Sequence, residues 1–216
     1  MSTLAKFLEH TVLKADTTLS DVQRICEEAV QFGFAAVCIP PCFVKEARRI
    51  LGEDNPVRLA TVVGFPMGYA ALSAKSEEIK RALEEGANDI DAVINIAYVK
   101  SAQWNLVRRD IEGIALATSS RSGFLKLILE AGFLSQEELQ SVCEIAIKAG
   151  VPCVKTCTGF QGFNATEAMV KALREQVGPS VKIKAAGGIR DAQTAQKLID
   201  AGADLLGSSS SVNIVS

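Results

Sequence analysis

The feature that most constrains this 216-residue chain is the regular alternation of short apolar runs with amphipathic segments from one end to the other. Runs rich in small apolar and β-branched residues are typical of strands that are buried on both faces. Segments with apolar residues three and four positions apart are typical of helices that pack on a sheet. The sequence therefore predicts a parallel sheet covered by helices.

The pattern places eight strands and a helix or helical stub after each of them. The predicted strands lie at 8–13, 35–39, 59–65, 89–95, 125–130, around 155, 181–186 and 203–206. A short opening helix is expected near 3–7. Ser20 and Asp21 are predicted to cap the first long helix, and Ser135-Gln136-Glu137-Glu138 is typical of a capping box.

Eight strand–helix pairs predict an α/β protein with a single (β/α)8 TIM barrel that occupies residues 1–216, with a short N-terminal helix. No linker, low-complexity tract or charge block divides the chain. The length is near the lower end for this fold, so the loops must be short. An open doubly wound sheet is the alternative, but this sequence lacks the glycine-rich fingerprint that such a fold carries after its first strand.

The charge balance excludes several classes of partner. The 23 basic and 25 acidic side chains show no basic patch for nucleic acid or for an anionic membrane surface. No apolar run approaches the roughly 20 residues that span a bilayer. The first residues do not follow the pattern of a signal peptide. We expect a cytoplasmic protein without nucleic-acid or membrane partners.

Cysteine and histidine usage limits the chemistry. The six cysteines contain no C-x-x-C pair, and most lie in apolar segments, so reduced and buried thiols are expected. His10 is the only histidine, which removes most zinc sites and most histidine-based acid–base schemes. We expect no metal site. Proton transfer must use lysine, carboxylates, hydroxyls or water.

Lys155 is the first candidate for catalysis, because it interrupts a buried strand. Burial disfavours the ammonium form, so this lysine is expected to lose its proton more readily than a free one. A neutral amine that faces a cavity attacks carbonyls and forms an imine. Cys153 and Cys157 share its strand face and leave room for a ligand. The alternative is a lysine that reaches water from the end of the strand.

A second lysine occurs in the apolar run of the seventh strand. If Lys184 faces the barrel interior with Lys155, its charge favours the neutral form of Lys155. Lys182 has the same parity but lies deeper, so periodicity alone leaves both open. Asp91 is an inward carboxylate that balances charge and passes protons through water. Further candidates, each also interpretable as part of a buried ion-pair network, are Glu9, Lys126 and Glu130.

Two glycine-bearing loops follow the last two strands. Gly187 and Gly188 lie where the seventh strand turns into a helix, and Ser209 and Ser210 follow Gly207 after the eighth. Bare backbone at a helix N-terminus offers N–H donors to an anion. Barrels of this type often bind phosphate in these two loops.

Several strand-end motifs, taken together, resemble the deoxyribose-phosphate aldolase family over residue 8 to about 215. They are Leu8-Glu9-His10-Thr11-Val12-Leu13-Lys14, Val63-Gly64-Phe65-Pro66-Met67-Gly68, Asp89-Ile90-Asp91-Ala92-Val93-Ile94-Asn95, Leu127-Ile128-Leu129-Glu130, Val154-Lys155-Thr156-Cys157-Thr158-Gly159-Phe160 and Lys184-Ala185-Ala186-Gly187-Gly188-Ile189-Arg190. Because the motifs recur in order, the match is more specific than any one of them.

The resemblance implies a class I aldolase that reversibly cleaves 2-deoxy-D-ribose 5-phosphate to D-glyceraldehyde 3-phosphate and acetaldehyde, in deoxyribonucleoside catabolism. It implies a Schiff base on Lys155 and a proton relay through Asp91 and Lys184, and it selects these over Asp89 and Lys182. No cofactor is implied, since the iminium is the electron sink. The implied ligands of the sugar phosphate are Gly159, Gly187, Gly188, Ser209 and Ser210. A homodimer or higher homo-oligomer is expected.

Four departures from the family pattern stand out. Glu9 replaces the usual aspartate, and Pro40 replaces a polar residue at the end of the second strand. The loop Gln161-Gly162-Phe163-Asn164 is bulkier than the usual glycine-rich version. Ser211 takes a usual glycine position, and the C-terminal tyrosine of some members is absent.

Two other functions remain as alternatives. One is another barrel lyase, or a transaldolase-like enzyme, that uses Lys155 on a different sugar phosphate. The other is a barrel that binds phosphate esters without catalysis, in which both lysines are charged.

Overall fold

The computed structural model describes residues 3–216 and contains a closed barrel of eight parallel strands with helices outside it. The strands are β1 Leu8–Thr11, β2 Ala36–Ile39, β3 Arg58–Val63, β4 Asp89–Val93, β5 Phe124–Ile128, β6 Cys153–Lys155, β7 Lys182–Ala186 and β8 Leu205–Ser208. Each strand pairs with its neighbours in the sequence, and β8 pairs with β1. The predicted (β/α)8 barrel is confirmed.

Helices connect the strands around the outside of the barrel. They are α1 Leu19–Phe32, α2 Val44–Leu51, α3 Leu72–Glu84, α4 Ile96–Lys100, α5 Trp104–Ser119, α6 Gln136–Lys148, α7 Glu167–Val177, α8 Ala192–Asp200 and α9 Ser211–Val215. The predicted opening helix is a single 3-10 turn, Ala5–Phe7. The short helix α4 was not predicted. Within residues 3–216, no helix has both the length and the apolar character needed to cross a bilayer.

The two predicted helix starts differ in outcome. The capping box of α6 is confirmed, because the Ser135 N–H donates to Glu138 at 2.8 Å and the Glu138 N–H donates to the Ser135 hydroxyl at 3.2 Å. The prediction for α1 was wrong, because its cap is Thr18. Asp21 is instead the third helical residue, and its carboxylate accepts from the Thr18 N–H at 2.9 Å. An earlier threonine can therefore take the capping role that the sequence suggested for a serine.

Several strands end earlier than predicted. The predicted runs 8–13, 59–65 and 89–95 each extend two residues past the observed strand, because apolar character continues into the loops. Asn95, for example, caps α4 by accepting from the Tyr98 N–H at 3.2 Å. The last strand lies two residues later than expected, since its ladder partners on β1 run as far as Ser208 opposite His10. Pairing with neighbours sets these boundaries.

Alternate side chains of each strand face opposite sides of the barrel wall. Outward residues such as Val37, Leu59 and Ile90 join the apolar layer beneath the helices. The inner side holds small residues and a set of fully buried charges, which include Lys126 and Lys184. Because a charge is costly to bury without partners, this inner set is the part of the fold that calls for a chemical explanation.

Candidate active site

In the upper part of the barrel interior, two lysine side chains contact the same carboxylate. Lys155 is the last residue of β6, and it lies in register with Lys184 of β7. The Nζ atoms of both lysines donate to the same Asp91 oxygen, Oδ2, at 2.7 Å each. The expected neighbourhood of Lys155 and Lys184 is therefore present, and Asp91 lies between their two Nζ atoms.

A second layer of charges lies beneath this pair. The Lys126 Nζ lies 2.7 Å from Glu9 Oε1, 2.7 Å from Asp89 Oδ2 and 3.4 Å from Asp91 Oδ1. Glu9 also accepts from Lys184. Asp89 accepts from Arg58, whose side chain is 49% exposed at the opposite end of the barrel. One connected network therefore joins three lysines and one arginine to three carboxylates.

The structure separates Lys182 from Lys184. Lys182 is exposed at the start of β7, and its Nζ lies 5.8 Å from the centre of the Phe124 ring. It lines a cavity of about 220 Å³ at the lower end of the barrel with Arg58 and Asp89. Lys184 is the residue that contacts Asp91. The alternative that strand parity left open is thereby resolved in geometry.

Electrostatic attraction within the network keeps Asp91, Lys184 and Lys126 in their charged forms. Burial alone would raise the pKa of Asp91, but the charges of Lys155, Lys184 and Lys126 outweigh burial and hold that pKa well below its ordinary value. Burial would likewise lower the pKa of Lys184, yet Asp91 and Glu9 raise it. Lys126 follows the same rule, because Glu9, Asp91 and Asp89 overcome its burial and raise its pKa. All three groups are ionised at neutral pH.

The main cavity opens at the carboxyl ends of the strands and has a volume of about 280 Å³. Five of the residues expected in the site line it: Lys155, Gly159, Gly187, Gly188 and Ser209. Ser210 is not among its lining residues, and its N–H donates to the Ser208 hydroxyl at 2.9 Å. The Asp91, Lys184, Glu9 and Lys126 side chains are buried inside the barrel. Lys155 is thus the member of the charge network that lines the cavity.

The cavity wall favours an anionic ligand. Its charged residues are Lys14, Lys155 and Arg190, and no carboxylate is among the residues that line it. Sequence reasoning did not single out Lys14. Its position just after β1, at the same edge of the barrel as the glycine-bearing loops, was the signal that could have found it.

The turn after β7 requires glycine. Gly187 and Gly188 have φ values of 102° and 74°, a region that side chains strongly disfavour. A Cβ atom at Gly187 would lie 2.8 Å from the Phe163 carbonyl oxygen. The Ser208 hydroxyl donates to the Ile189 carbonyl at 2.7 Å, and this bond joins the turn to β8. The two loops therefore form one wall of the cavity.

The chain is fixed on both sides immediately after Lys155. The Thr156 hydroxyl donates to the Ala186 carbonyl at 3.1 Å and accepts from the Ala186 N–H at 3.0 Å. On the other side, the Thr158 N–H donates to Glu130 at 2.9 Å. Glu130 is fully buried and has a left-handed backbone, with φ of 48°. Strain of this kind persists only where its surroundings hold it, which marks Glu130 as part of the framework around Lys155.

The departures from the family pattern occupy different places. Glu9 bridges Lys126 and Lys184, whereas Pro40 lines a separate cavity of about 260 Å³ beside the main one. The Ser211 side chain is buried and donates to the Ser208 carbonyl at 3.0 Å. Of the loop 161–164, Asn164 lines the main cavity.

The remaining polar candidates are structural. All six cysteines are free thiols; five are buried, and Cys42 is exposed. Burial raises the pKa of Cys38 to about 11, so this thiol is protonated at neutral pH. The His10 Nε2 pairs with Glu28 at 2.6 Å beneath α1. In the described part of the chain, residues 3–216, no three His, Cys, Asp or Glu side chains are grouped so as to hold a metal ion.

Comparison with known proteins identifies the family of this chain. The sequence profile of the family described as DeoC/LacD family aldolase matches residues 3–214. The chain belongs to this family. A DeoC/LacD relative, deoxyribose-phosphate aldolase 1 of Bacillus licheniformis, is 42% identical over 212 residues, which cover 98% of this chain and 94% of that protein. Deoxyribose-phosphate aldolase of Thermococcus gammatolerans is also 42% identical, over 98% of this chain and 95% of that protein.

Solved structures extend the DeoC/LacD match to the fold. A protein described as QR15, an aldolase, superposes with a TM-score of 0.93 at 33% identity, over 100% of this chain and 95% of that one. The tetrameric deoxyribose phosphate aldolase of Aeropyrum pernix gives a TM-score of 0.89 at 31% identity, over 98% of this chain and 89% of that one. The resemblance stated from the motifs is confirmed.

Proposed function

We propose that this DeoC/LacD aldolase reversibly cleaves 2-deoxy-D-ribose 5-phosphate to D-glyceraldehyde 3-phosphate and acetaldehyde through a Schiff base on Lys155. The names of its relatives support the substrate. The observation that carries the mechanism is the position of Lys155, whose side chain lines the cavity while its Nζ contacts Asp91 at 2.7 Å. The pathway would be the catabolism of deoxyribonucleosides.

Charge balance supports Lys155 as the nucleophile. Three carboxylates, Glu9, Asp89 and Asp91, face three other cations of the network, Lys126, Lys184 and Arg58. Lys155 is the fourth cation, so its deprotonation leaves the network neutral. Its neutral amine would attack the aldehyde carbon of the open-chain sugar to give a carbinolamine. Protonation of the carbinolamine hydroxyl, with Lys184 as the proton source, and loss of water would then give an iminium. Asp91 Oδ2, already 2.7 Å from Nζ, would pair with the positive charge of the iminium.

The iminium makes the carbon–carbon bond cleavable. Water beside Asp91 and Lys184 would take the proton of the 3-hydroxyl, the C2–C3 bond would break, and its electron pair would enter the iminium to give an enamine. D-Glyceraldehyde 3-phosphate leaves. Protonation of the enamine carbon and hydrolysis of the imine then release acetaldehyde and free Lys155. Lys184 is charged and hydrogen-bonded to Asp91, so it would donate protons, and water would carry them between this pair and the substrate.

The phosphate would lie against the wall formed by Gly187, Gly188 and Ser209. These residues line the same cavity as Lys155, together with the cations Lys14 and Arg190. Backbone N–H donors and hydroxyls bind phosphate, and the two cations add charge. Gly159 lies between Lys155 and Gly187 in the sequence and also lines the cavity. It is the remaining proposed ligand. Ser210 is proposed to bind through its hydroxyl, because its N–H is engaged by Ser208.

The decisive experiment is reduction with borohydride in the presence of acetaldehyde, followed by peptide mass mapping. A two-carbon adduct is expected on the peptide that contains Lys155. Lys182→Met serves as the matched control, since it removes an exposed lysine of the same strand that lies outside the main cavity and leaves the Asp91 network in place. An adduct on Lys184 or on surface lysines only would contradict the proposal.

Substrate assays separate the remaining alternatives. A different barrel lyase would show the Lys155 adduct but prefer another sugar phosphate. A phosphate-binding barrel without catalysis would bind phosphate esters and give no adduct at all.

Two further expectations concern the state of the protein in the cell. The Aeropyrum pernix relative is described as tetrameric, which supports the expectation of a homo-oligomer here, and light scattering would test it. We also expect the protein to act in the cytoplasm on small-molecule substrates.

A further inference from the structure

The bulky loop 161–164 has no role in the reaction described above. Asn164 lies in this loop, is exposed, and lines the main cavity. Within residues 3–216 its carboxamide makes no hydrogen bond. A carboxamide holds two donors and one acceptor oxygen, so this group is available to a ligand.

The carboxamide lies directly over the turn after β7. A Cβ atom at Gly188 would lie 2.5 Å from both Cγ and Oδ1 of Asn164. Any ligand that approaches the Gly188 backbone therefore meets the Asn164 side chain. A half-turn about the terminal torsion exchanges Oδ1 and Nδ2, so an N–H donor can face the cavity. A valine at position 188 would disturb this side chain as well as the anion site.

Both neighbours of Asn164 in the loop are held in place. The Phe163 ring packs edge-on to Phe133 with ring centres 4.7 Å apart, and a Cβ at Gly132 would lie 2.3 Å from it. On the other side, the Ala165 N–H donates to the Gly187 carbonyl at 3.0 Å. The loop backbone is therefore tied to the phosphate wall, and only the side-chain torsions of Asn164 remain to be ordered when a ligand binds.

We infer that Asn164 is a specificity-determining residue that donates a side-chain N–H to the phosphate held at the Gly187–Gly188 turn. The inference rests on the proposed function and adds to it. Backbone donors at the turn fix one side of the phosphate, and Asn164 covers the other. The bulk of the loop, at positions where glycines are usual, then has a use: Phe163 anchors the loop, and Asn164 binds the ligand.

The test compares two amide-to-acid substitutions in the same loop. Asn164→Asp keeps the side-chain shape but replaces the donor by a negative charge. Gln161→Glu adds the same charge three residues away, where the side chain contacts Met67 rather than Gly188. The assays are steady-state kinetics with deoxyribose 5-phosphate and with unphosphorylated deoxyribose, and calorimetric titration with inorganic phosphate.

Asn164→Asp is expected to raise the KM for deoxyribose 5-phosphate about ten- to a hundredfold, because a hydrogen bond to a charged group is replaced by repulsion. The Kd for inorganic phosphate should rise by a similar factor. Activity on unphosphorylated deoxyribose and trapping of acetaldehyde on Lys155 should stay within about twofold. Gln161→Glu should leave all these quantities nearly unchanged. Asn164→Ala, which removes the donor without adding charge, should give a smaller rise of about tenfold.

Three results would overturn the inference. Equal rises in KM for Asn164→Asp and Gln161→Glu would show a general charge effect. Equal losses on both sugars would show that Asn164 only shapes the loop. If Asn164→Asp leaves the Kd for inorganic phosphate at its wild-type value, Asn164 does not contact the phosphate. Failure of the wild type to cleave deoxyribose 5-phosphate would instead contradict the proposed function, and the titration would still test Asn164.

Discussion

Two groups of buried lysines and carboxylates in this protein behave in opposite ways. In the helical layer, Lys75 of α3 contacts Asp110 of α5 at 3.0 and 2.9 Å and donates to the Val93 carbonyl at 2.9 Å. In the barrel, Lys155 and Lys184 share Asp91. Both groups are almost completely removed from water.

The difference lies in how many opposite charges each group has. Burial lowers the pKa of Lys75, and the single Asp110 carboxylate offsets only part of that effect. Burial likewise raises the pKa of Asp110 more than Lys75 lowers it. Asp91 has three lysines around it, and there the charges prevail over burial. Burial shifts a single pair toward its neutral form, whereas the lysines around Asp91 keep that carboxylate ionised.

Burial alone therefore does not identify a catalytic lysine. Lys75 is buried more completely than Lys155, yet it is absent from the residues that line the main cavity. Burial favours a neutral amine, but chemistry also requires access to a substrate. Lys155 belongs to a charge network and lines the main cavity. Lys75 pairs with a single carboxylate and does not line that cavity.

The largest expected effect is that of Lys155→Ala on turnover. We expect no measurable cleavage of deoxyribose 5-phosphate, because the group that would form the imine is removed. The fold should persist, since the other network charges remain paired. Circular dichroism and thermal unfolding check the fold. Substantial residual turnover in a folded Lys155→Ala protein would show that another lysine forms the imine.

Lys75→Met should have the reverse outcome, a large loss of stability with the chemistry retained. Removing one partner of a buried ion pair costs about 3–5 kcal/mol, since the other charge is left unpaired. Urea unfolding would measure it. Lys75→Met combined with Asp110→Leu is the matched control and should recover much of the stability. Loss of Lys155 trapping in the folded Lys75→Met protein would mean that the two groups are coupled.

Lys184→Leu should lower the rate at neutral pH by about a hundredfold, within the range for a lost proton-transfer group. The physical reason is twofold: a cation near Lys155 is gone, and Asp91 and Glu9 are left with an excess of negative charge that favours the ammonium form of Lys155. The pH–rate profile should therefore shift toward alkaline pH. An unchanged profile would show that the two lysines do not influence each other.

The smallest effect concerns stability in acid. The pKa of Asp91 is below its ordinary value of 3.8, so its contribution to stability is present above about pH 3.8 and is lost as the pH falls toward its folded-state pKa. The pKa of Asp110 is above 3.8, so its contribution is present below that pH and is lost as the pH rises through its folded-state pKa. Between pH 3 and 7, Asp91→Asn should make the urea midpoint rise less steeply with pH than in the wild type. Asp110→Asn should make it rise more steeply. Parallel slopes would contradict the contrast.

Much of the fold was predictable because a parallel barrel repeats one local pattern. Each strand is marked by apolar residues, and each helix by its period. The errors lie where pairing between strands sets a boundary, as at β8, or where a short helix such as α4 lacks a full period. The cap of α1 was misplaced because Thr18 and Ser20 are both acceptable caps by sequence.

The candidate site was predictable only in part. Strand parity indicated inward charges, but the distance between Lys155 and Asp91, 64 residues apart, depends on closure of the barrel. Lys14 and Asn164 were missed as lining residues because loop conformation, which carries no periodic signal, brings them to the cavity. Lys75 was missed because a lysine within a helix rich in charged residues is usually solvated.

The way the chain is fastened after Lys155 has a mechanical consequence. β6 is only three residues long, but the Thr156 hydroxyl continues its connection to β7, and Glu130 holds the Thr158 N–H on the side of β5. Beyond Thr158, Gly159 and Phe160 are exposed. The chain is thus fastened before its exposed residues begin. Adjustment of Gly159 and Phe160 when a ligand enters or leaves would therefore leave the Lys155 amine in place.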